Sequence, residues 1–218
     1  MHVSKPLREG APENIGWTQE ISSSNATTHP MNLFLIASTP VAIASDHCDK
    51  HVIKMILETA QLLYTTWWCL NPAAVTDLRD PKAYRATHRN HPVAVWVRAR
   101  PEHYRFALDV AIALCSEYTR RYGKVHKTQA HIERLTLLGM PPCRGEDRSP
   151  AAHKRAVTGL PKGIEYFHCA VNDDLFNRCA VHDDAGNLDA IATYRAYYKA
   201  KPWTMNWNRG KDTQPTWY

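Results

Sequence analysis

The spacing of apolar and polar residues between positions 46 and 63 predicts a helix with two distinct faces. One stripe recurs every three or four residues and is mainly apolar: it consists of Val52, Met55, Ile56, Thr59, Leu62 and Leu63. A second stripe at the same spacing carries imidazoles, ammonium groups, a carboxylate and an amide: His47, Lys50, His51, Lys54, Glu58 and Gln61. Such groups exchange protons or bind base edges and phosphates. The pattern also fits the solvated outer face of a soluble helix, and both interpretations stand at this point.

The first thirty residues differ in composition from the rest of the chain. Residues 1–30 hold prolines, glycines and a serine run with little apolar material. They are interpreted as a flexible extension or an over-called start, with Met31 as an alternative first residue. We therefore expect residues 31–218 to form a single helical domain.

Local signals place several element boundaries before any packing is considered. An apolar stretch at residues 31–38 predicts a short extended segment. Thr39 before Pro40 has the pattern of a helix N-cap followed by the first helical residue. Pro101 opens the clearest helix, which Gly123 ends. The tyrosine-rich apolar stripe of that helix is expected to belong to the core.

Two further helices are predicted near the C-terminal half of the chain. They cover residues 128–138 and 188–199, where apolar residues again recur at helical spacing. Between them, residues 139–163 are rich in proline and glycine and are expected to form a loop-rich insert. The fold class predicted from these elements is mainly α, with a short N-terminal extended segment.

Composition narrows the class of protein. The chain has 218 residues, with 44% hydrophobic and 22% charged residues, as in soluble globular proteins. It contains no apolar run long enough to span a membrane and no signal-peptide core, so no membrane partner is expected. The six cysteines are scattered without a C-x-x-C pair, which predicts reduced thiols rather than a zinc site or disulfide framework.

A formal charge of +6 suggests a polyanionic partner, although a mildly basic enzyme would look the same. Two helix ends combine basic and aromatic side chains, and they are our predicted DNA-binding residues: Arg120, Arg121, Tyr122, Lys124 and His126 in one, Tyr194, Arg195, Tyr198 and Lys199 in the other. Basic groups interleaved with rings suit a phosphate backbone. Cations at a helix C-terminus are also favoured by the helix dipole, so a purely structural role remains open.

A histidine-containing turn is the other candidate for substrate contact. His88, Asn90 and His91 precede Pro92, which forces His91 out of helical geometry and onto a turn or helix entry. Two histidines three residues apart could hold a metal, but no third ligand lies nearby. We expect a loop that contacts a base or phosphate, with Trp96 as an aromatic wall, and we predict no metal and no cofactor.

Several of these stretches, in the same order, resemble phage and viral proteins related to pyrimidine-dimer DNA glycosylases of the endonuclease V type. The matching stretches are residues 46–63, 88–96 (HRNHPVAVW), 117–126 (EYTRRYGKVH) and 193–199 (TYRAYYK), with the closing residues 215–218. The family places a histidine and, seven residues later, the catalytic glutamate on one helix, and His51 and Glu58 match that spacing. The resemblance implies a compact, mostly helical, glycosylase-like DNA-binding domain.

The chain departs from the glycosylases at the nucleophile. Those enzymes use the α-amine of an N-terminal threonine, whereas here the corresponding region begins with Met31 and Asn32 behind thirty further residues. Relatives with C-D-K-H-V and N-H-P motifs resemble enzymes of phage thymidine hypermodification. In those pathways an amino acid replaces the pyrophosphate of a pyrophosphorylated 5-hydroxymethyluracil in DNA. The resemblance implies such an amino acid:DNA transferase, acting in the cytoplasm of an infected bacterial host.

The predicted chemistry assigns roles to the residues of these motifs. Departure of pyrophosphate needs cations, which His47, Lys50 and Lys54 would supply. The incoming amine needs a base, for which Glu58, His51 and His91 are the catalytic candidates. The remaining predicted substrate-binding residues are Gln61, His88, Asn90 and Trp96. The expected partners are double-stranded DNA with a modified thymine and a free amino acid. Two alternatives stay open: a DNA glycosylase or lyase acting on a modified or damaged pyrimidine, and a non-catalytic DNA-binding protein.

Overall fold

The computed structural model describes residues 31–79, 81–143, 157–167, 169, 173–209 and 214–218, and this part of the chain is mainly helical. Residues 1–30 and most of the predicted insert, residues 144–156, lie outside the described residues. The helices are α1 (Pro40–Asp46), α2 (Asp49–Leu70), α3 (Ala73–Thr76), α4 (Pro92–Ala99), α5 (Pro101–Tyr122), α6 (Gln129–Leu138), α7 (Asp173–Cys179) and α8 (Ala190–Lys199). The short strands are β1 (Val157–Thr158) and β2 (Leu188–Asp189), which pair in parallel.

The N-terminal extended segment lies inside the core. Leu35 and Ile36 are fully buried, and every residue from 31 to 37 is buried. The predicted start of α1 is confirmed: the Thr39 hydroxyl accepts a hydrogen bond from the Ala42 backbone N–H at 3.2 Å, and Pro40 is the first helical residue. Because these capping signals are local, the sequence was sufficient to place them.

Helices α2 and α5 form the centre of the fold. Each contains 22 residues, about 33 Å at the rise of an α-helix. They run antiparallel, since Trp67 near the end of α2 donates from Nε1 to the Tyr104 hydroxyl near the start of α5 at 2.8 Å. At the opposite end, Arg121 of α5 contacts Asp49 in the first turn of α2. One cluster of buried apolar side chains surrounds this pair, and it extends from Met31 to Trp207.

The C-terminal helix begins two residues later than predicted. Leu188 and Asp189 pair with β1 instead, and the Asp189 carboxylate then caps α8 by accepting from the Ala192 N–H at 2.8 Å. The tail returns to the start of α2. Trp217 donates from Nε1 to the Asp46 carboxylate at 2.7 Å, and Trp207 donates to the Asp46 carbonyl. Through these contacts both tryptophans dock on the core.

All six cysteines are free. In the described part of the chain, no helix has the length and apolarity that crossing a membrane requires.

A buried ionic cluster joins the end of α5 to the start of α2. Its central residue is Arg121, which we predicted to contact DNA. The Arg121 side chain is 0% exposed and lies 2.6 Å from Glu117 and 3.0 Å from Asp49. It also donates to the Ser45 carbonyl at 2.7 Å. Burial alone would raise the pKa of Glu117, but hydrogen bonds from Arg120 and Arg121 bring it below its usual value. Arg121 therefore joins α5 to α2 in the protein interior, where it is not accessible to DNA.

Replacing Arg121 with methionine should destabilise the fold strongly. The change leaves Asp49 without its cation and Glu117 with the exposed Arg120 alone, and breaking a comparable buried pair costs about 3–5 kcal/mol. Urea unfolding measures the effect. The exposed neighbour Lys124 provides the control, because Lys124→Met should change the free energy of unfolding by less than about 0.5 kcal/mol. Equal stabilities for the two variants would show that the cluster does not hold α2 and α5 together.

Candidate active site

The helix predicted over residues 46–63 is interrupted at residues 47 and 48, and its second stripe is only partly an outer face. Lys50 and Lys54 are exposed, whereas the two histidines and the glutamate are buried. His47 and His51 are buried at 1% and 3% exposure, and Glu58 at 7%. Two elements cover them: the N-terminal segment 31–37 and helix α8. The coverage comes from tertiary packing, which the spacing of residues along α2 does not report.

Phe34 is the residue that brings these elements together. Its ring stacks on the His51 imidazole with centroids 5.1 Å apart and meets Tyr194 and Tyr198 of α8 edge-on. The His47 ring lies 6.0 Å away. Sequence reasoning missed Phe34, because an aromatic residue in an apolar extended stretch carries no signal that separates a site wall from ordinary core.

His51 is held as a neutral imidazole of defined orientation. The Cys48 N–H donates to the Tyr198 hydroxyl at 2.9 Å, and this hydroxyl lies 2.7 Å from Nδ1 of His51. The Cys48 N–H uses one of the two lone pairs of the hydroxyl, so the bond between the hydroxyl and Nδ1 can run in either direction. We assign the hydroxyl as the donor, which leaves the ring proton on Nε2. Burial lowers the pKa of His51 to about 2, helped by nearby His47 and Lys201.

His47 is also neutral and does not supply a cation, contrary to the prediction. Its Nδ1 lies 2.6 Å from the Ile43 carbonyl, which can only accept, so Nδ1 is the donor. The other ring nitrogen, Nε2, is buried and has no hydrogen-bond partner among the described residues. Burial lowers the pKa of His47 to about 4.

Glu58 links all three elements of the site. Its Oε1 lies 2.9 Å from the Lys54 ammonium, and its Oε2 accepts from the Asn32 backbone N–H at 3.3 Å. The Asn32 side-chain oxygen accepts from the Tyr194 hydroxyl at 2.9 Å. Asn32 is a polar residue at the start of an apolar stretch. This is a weak sequence signal for a site residue, and it is the one clue to the role of Asn32.

Lys201, just beyond α8, belongs to the aromatic-basic segment predicted to bind the DNA backbone, but its position at this site was not predicted. Its ammonium donates to the Tyr197 hydroxyl at 2.8 Å and lies 4.1 Å from the centroid of that ring. The rings of Trp203 and Phe34 lie 4.9 Å and 5.4 Å from it. Burial and nearby Lys54 lower the pKa of Lys201 to about 8, while aromatic faces favour the ammonium form. Lys201 is therefore mainly charged at neutral pH.

Three lysines surround the accessible edge of the site, and we call them the lysine cluster: Lys50, Lys54 and Lys201. Trp203 connects two of them, because the Lys50 ammonium lies 5.3 Å from its ring centroid. Lys54 is half exposed, and Glu58 balances its charge. An excess of positive charge beside a buried imidazole and carboxylate attracts an anion.

The predicted substrate-binding turn does not lie at this site. The Thr65 hydroxyl contacts the backbone of Thr87, which places the turn fourteen residues beyond His51, or about 21 Å along α2 at 1.5 Å per residue. His91 is the N-cap of α4, as predicted for a helix entry, and its Nδ1 accepts from the Val93 N–H. The turn therefore lies toward the other end of α2 from His51, and a substrate-binding role of His88, Asn90 and His91 stays a prediction.

Trp96 is a core residue rather than a substrate wall. It is 0% exposed, stacks on His103 with centroids 4.3 Å apart, and donates from Nε1 to the Tyr166 carbonyl. Gln61 is half-buried, one helical turn beyond Glu58.

The predicted DNA-binding residues divide into exposed and internal groups. Tyr194 and Tyr198 are 0% exposed and form the site floor, so neither contacts DNA in this fold. Arg195 donates to the Ile36 carbonyl and lies over the Trp217 ring. The other members lie at the surface or half-buried near it: Arg120, Tyr122, Lys124, His126 and Lys199. Tyr122 donates to the Asp49 carbonyl, and burial lowers the pKa of His126.

The assembled groups can hold an anion, accept a proton and orient a ring between aromatic faces. Within the described residues, no cluster of three or more histidine, cysteine or carboxylate side chains could hold a metal ion. No family model matches the chain, and neither the curated proteins nor the solved structures include a significant match to it.

The two buried imidazoles predict that the protein loses stability in mild acid. The ordinary histidine pKa is near 6.5, so below that pH the unfolded chain binds protons that the folded chain excludes. The free energy of unfolding should be nearly constant between about pH 7 and pH 8, where Lys201 begins to lose its proton. Below about pH 7 it should fall by about 1.4 kcal/mol per pH unit for each imidazole. For His47 the fall ends near pH 4, its folded pKa. The cations nearest the pair, Arg121 and Lys201, act in the same direction.

Urea unfolding between pH 7.5 and pH 5 measures this dependence, and His47→Gln should reduce the slope by about half. The exposed His182 supplies the matched control, since His182→Gln should leave the slope unchanged. A free energy of unfolding that stays constant down to pH 5 in the unsubstituted chain would contradict neutral burial of the pair.

Proposed function

We propose that this protein is a DNA base-modifying transferase, which replaces the pyrophosphate of a pyrophosphorylated 5-hydroxymethyluracil in DNA with an amino acid. The observation that carries the proposal is the juxtaposition of the lysine cluster with a buried imidazole and carboxylate, His51 and Glu58. The first feature suits a polyanionic leaving group. The second suits an amine nucleophile that must lose a proton.

The reaction requires one bond to form and one to break at the 5-methylene carbon. The amine nitrogen attacks this carbon, and the bond to the pyrophosphate oxygen breaks with its electron pair. Lys54 and Lys201 stabilise the charge that develops on pyrophosphate, with Lys50 beside them. Glu58 accepts the proton that the new ammonium releases.

His51 takes a different role from the one that its sequence position suggested. Its Nδ1 already accepts from Tyr198, and its low pKa makes it a weak base. Its remaining ring position, Nε2–H, donates a hydrogen bond to a carbonyl or phosphate oxygen of the substrate. Tyr197 and Trp203 replace Trp96 as the aromatic surfaces available to a base that leaves the duplex stack.

The resemblance to glycosylases of the endonuclease V type supports the same proposal. His51 and Glu58 are seven residues apart on α2, two turns along one side, and both border the Phe34 segment. The lysine cluster favours transfer over glycosidic cleavage, because a glycosylase reaction releases no pyrophosphate.

Nucleoside mass spectrometry tests the proposed reaction directly. DNA containing pyrophosphorylated 5-hydroxymethyluracil is incubated with the protein and a mixture of amino acids, then digested to nucleosides. The expected product is a thymidine derivative that has lost diphosphate and gained one amino acid. Unchanged nucleosides, with DNA binding intact, would instead support a non-catalytic DNA-binding protein.

Substitution of Glu58 tests its role as the proton acceptor. Glu58→Gln preserves the shape of the side chain and removes its basicity, so turnover should fall by about a hundredfold or more. DNA affinity should remain within about threefold, because the Glu58 side chain is buried and does not itself reach a phosphate. The exposed Glu102 is the control, and Glu102→Gln should retain full turnover. Near-normal turnover in Glu58→Gln would exclude this carboxylate as the base.

Substitution of Lys201 tests the lysine cluster. Lys201→Met keeps most of the aliphatic chain between the aromatic rings but removes the charge, and turnover should fall by about 10²-fold. Lys162→Met, at an exposed lysine outside the cluster, should have no effect. Thermal unfolding of both variants verifies that the fold is retained. Full turnover of folded Lys201→Met would remove this residue from the mechanism.

One observation favours a DNA glycosylase or lyase as a second candidate. The Asn32 backbone nitrogen lies 3.3 Å from Glu58, where the α-amine would lie if the chain began at Asn32. The related glycosylases use such an amine as nucleophile. A protein produced with Asn32 as its first residue should then be trapped on abasic DNA by borohydride, while the full chain is not. Absence of trapping in both forms would reject this candidate.

A further inference from the structure

A second cavity lies beside the candidate active site, between the start of α2 and the tail segment 203–209. Its volume is about 550 Å³, within the range of small-molecule binding sites, about 300–1,000 Å³. Lys50 and Trp203 line this cavity and also belong to the surroundings of the active site. The cavity therefore adjoins the candidate active site.

Asp49 holds the wall of the cavity in place through backbone contacts. Its carboxylate accepts from the backbone N–H groups of Asn208 and Arg209 at 2.7 Å and 3.0 Å. Its own N–H donates to the Asn206 carbonyl at 2.8 Å. Arg121 balances the Asp49 charge from the protein interior, so this carboxylate does not oppose the entry of an anion.

The side chains around the cavity present polar groups and apolar walls together. Five polar side chains make no hydrogen bond or ion pair with any residue in the described part of the chain: Lys50, Thr204, Asn206, Asn208 and Arg209. The walls between them are apolar or aromatic: Ile53, Tyr122, Trp203 and Met205. Two cations, two amides and two aromatic rings thus face one space.

We propose that this cavity binds a nucleotide unit. The phosphate is held by Lys50 and Arg209, and the amides of Asn206 and Asn208 donate to and accept from the edge of the base. The base lies against the Trp203 ring. The Lys50 ammonium, which lies over this ring in the free protein, moves from the ring to the phosphate when the nucleotide binds.

Two simpler ligands fit the cavity less well. Inorganic phosphate would use the cations but leave the aromatic walls and amides without a role. A free amino acid would bring an ammonium group that needs a negative partner, and Asp49, the carboxylate that lines the cavity, is already bonded to Arg121 and two backbone amides. A nucleotide uses the two cations, the two amides and the Trp203 ring together.

The nucleotide has two possible sources with the same chemistry. It is either the residue next to the modified base in the DNA strand, or a free nucleotide. The first source rests on the proposed function and would let the cavity set the sequence context of modification. The second would make the cavity independent of DNA.

Isothermal titration of the full chain with thymidine 5′-monophosphate, thymidine, inorganic phosphate and a single-stranded thymidylate tetramer tests the proposal. The monophosphate should bind at least about tenfold more tightly than thymidine or phosphate alone, because it uses both cations and rings. Arg209→Gln should weaken monophosphate binding by about tenfold or more, since one charge-assisted contact is lost. Arg79→Gln, at an exposed arginine also without a described partner, is the matched control and should bind normally.

Equal binding by Arg209→Gln and Arg79→Gln, no binding of the monophosphate, or equal binding of phosphate and monophosphate would each overturn the proposal. A tetramer that binds more tightly than the monophosphate, and loses this advantage in Arg209→Gln, identifies the DNA strand as the source. Equal affinity of the two identifies a free nucleotide. Turnover of the unsubstituted chain, measured by nucleoside mass spectrometry, shows separately whether the proposed transferase reaction stands.

Discussion

The hydrogen bonds of one hydroxyl group, that of Tyr198, organise the candidate active site. This hydroxyl accepts from the Cys48 N–H at the start of α2, and it is the donor that we assign to the 2.7 Å bond with Nδ1 of His51, 147 residues away in the chain. It is buried, so the loss of either contact would leave a polar group unsatisfied in a dry environment. The arrangement fixes the position of α8 on α2 and the tautomer of the imidazole at the same time.

A second tyrosine repeats this arrangement one helical turn away. Tyr194 donates to the Asn32 side chain, whose backbone N–H in turn donates to Glu58. The two α8 tyrosines therefore orient the two groups to which we assign catalysis, and neither tyrosine is a DNA contact. Packing that buries imidazoles in their neutral form costs stability at low pH, and it leaves the lysine cluster as the charged part of the site. The buried imidazoles are neutral and the lysines at the accessible edge are charged. This arrangement suits the proposed displacement of pyrophosphate, because the cations lie where the anionic leaving group would bind.

Sequence reasoning succeeded where the determining interactions are local. The Thr39–Pro40 start of α1 and the Gly123 end of α5 were predicted because caps involve residues within one turn. It failed where distant partners decide the outcome. The basic pattern around Arg121 looks like a surface, but its partner Asp49 lies 72 residues away. The stripe containing His51 was visible in the sequence, whereas its burial depends on elements at both ends of the chain.

The most direct measurement of the central claim is the protonation state of His51 by nuclear magnetic resonance of ring nitrogens in ¹⁵N-histidine-labelled protein. We predict a neutral ring with its proton on Nε2 and with Nδ1 as acceptor, unchanged from pH 8 down to about pH 5. The Tyr198→Phe variant assigns the signal, because loss of the hydroxyl must shift the Nδ1 resonance of His51 most. An imidazole that titrates near pH 6.5, or that carries its proton on Nδ1, would contradict the site described here.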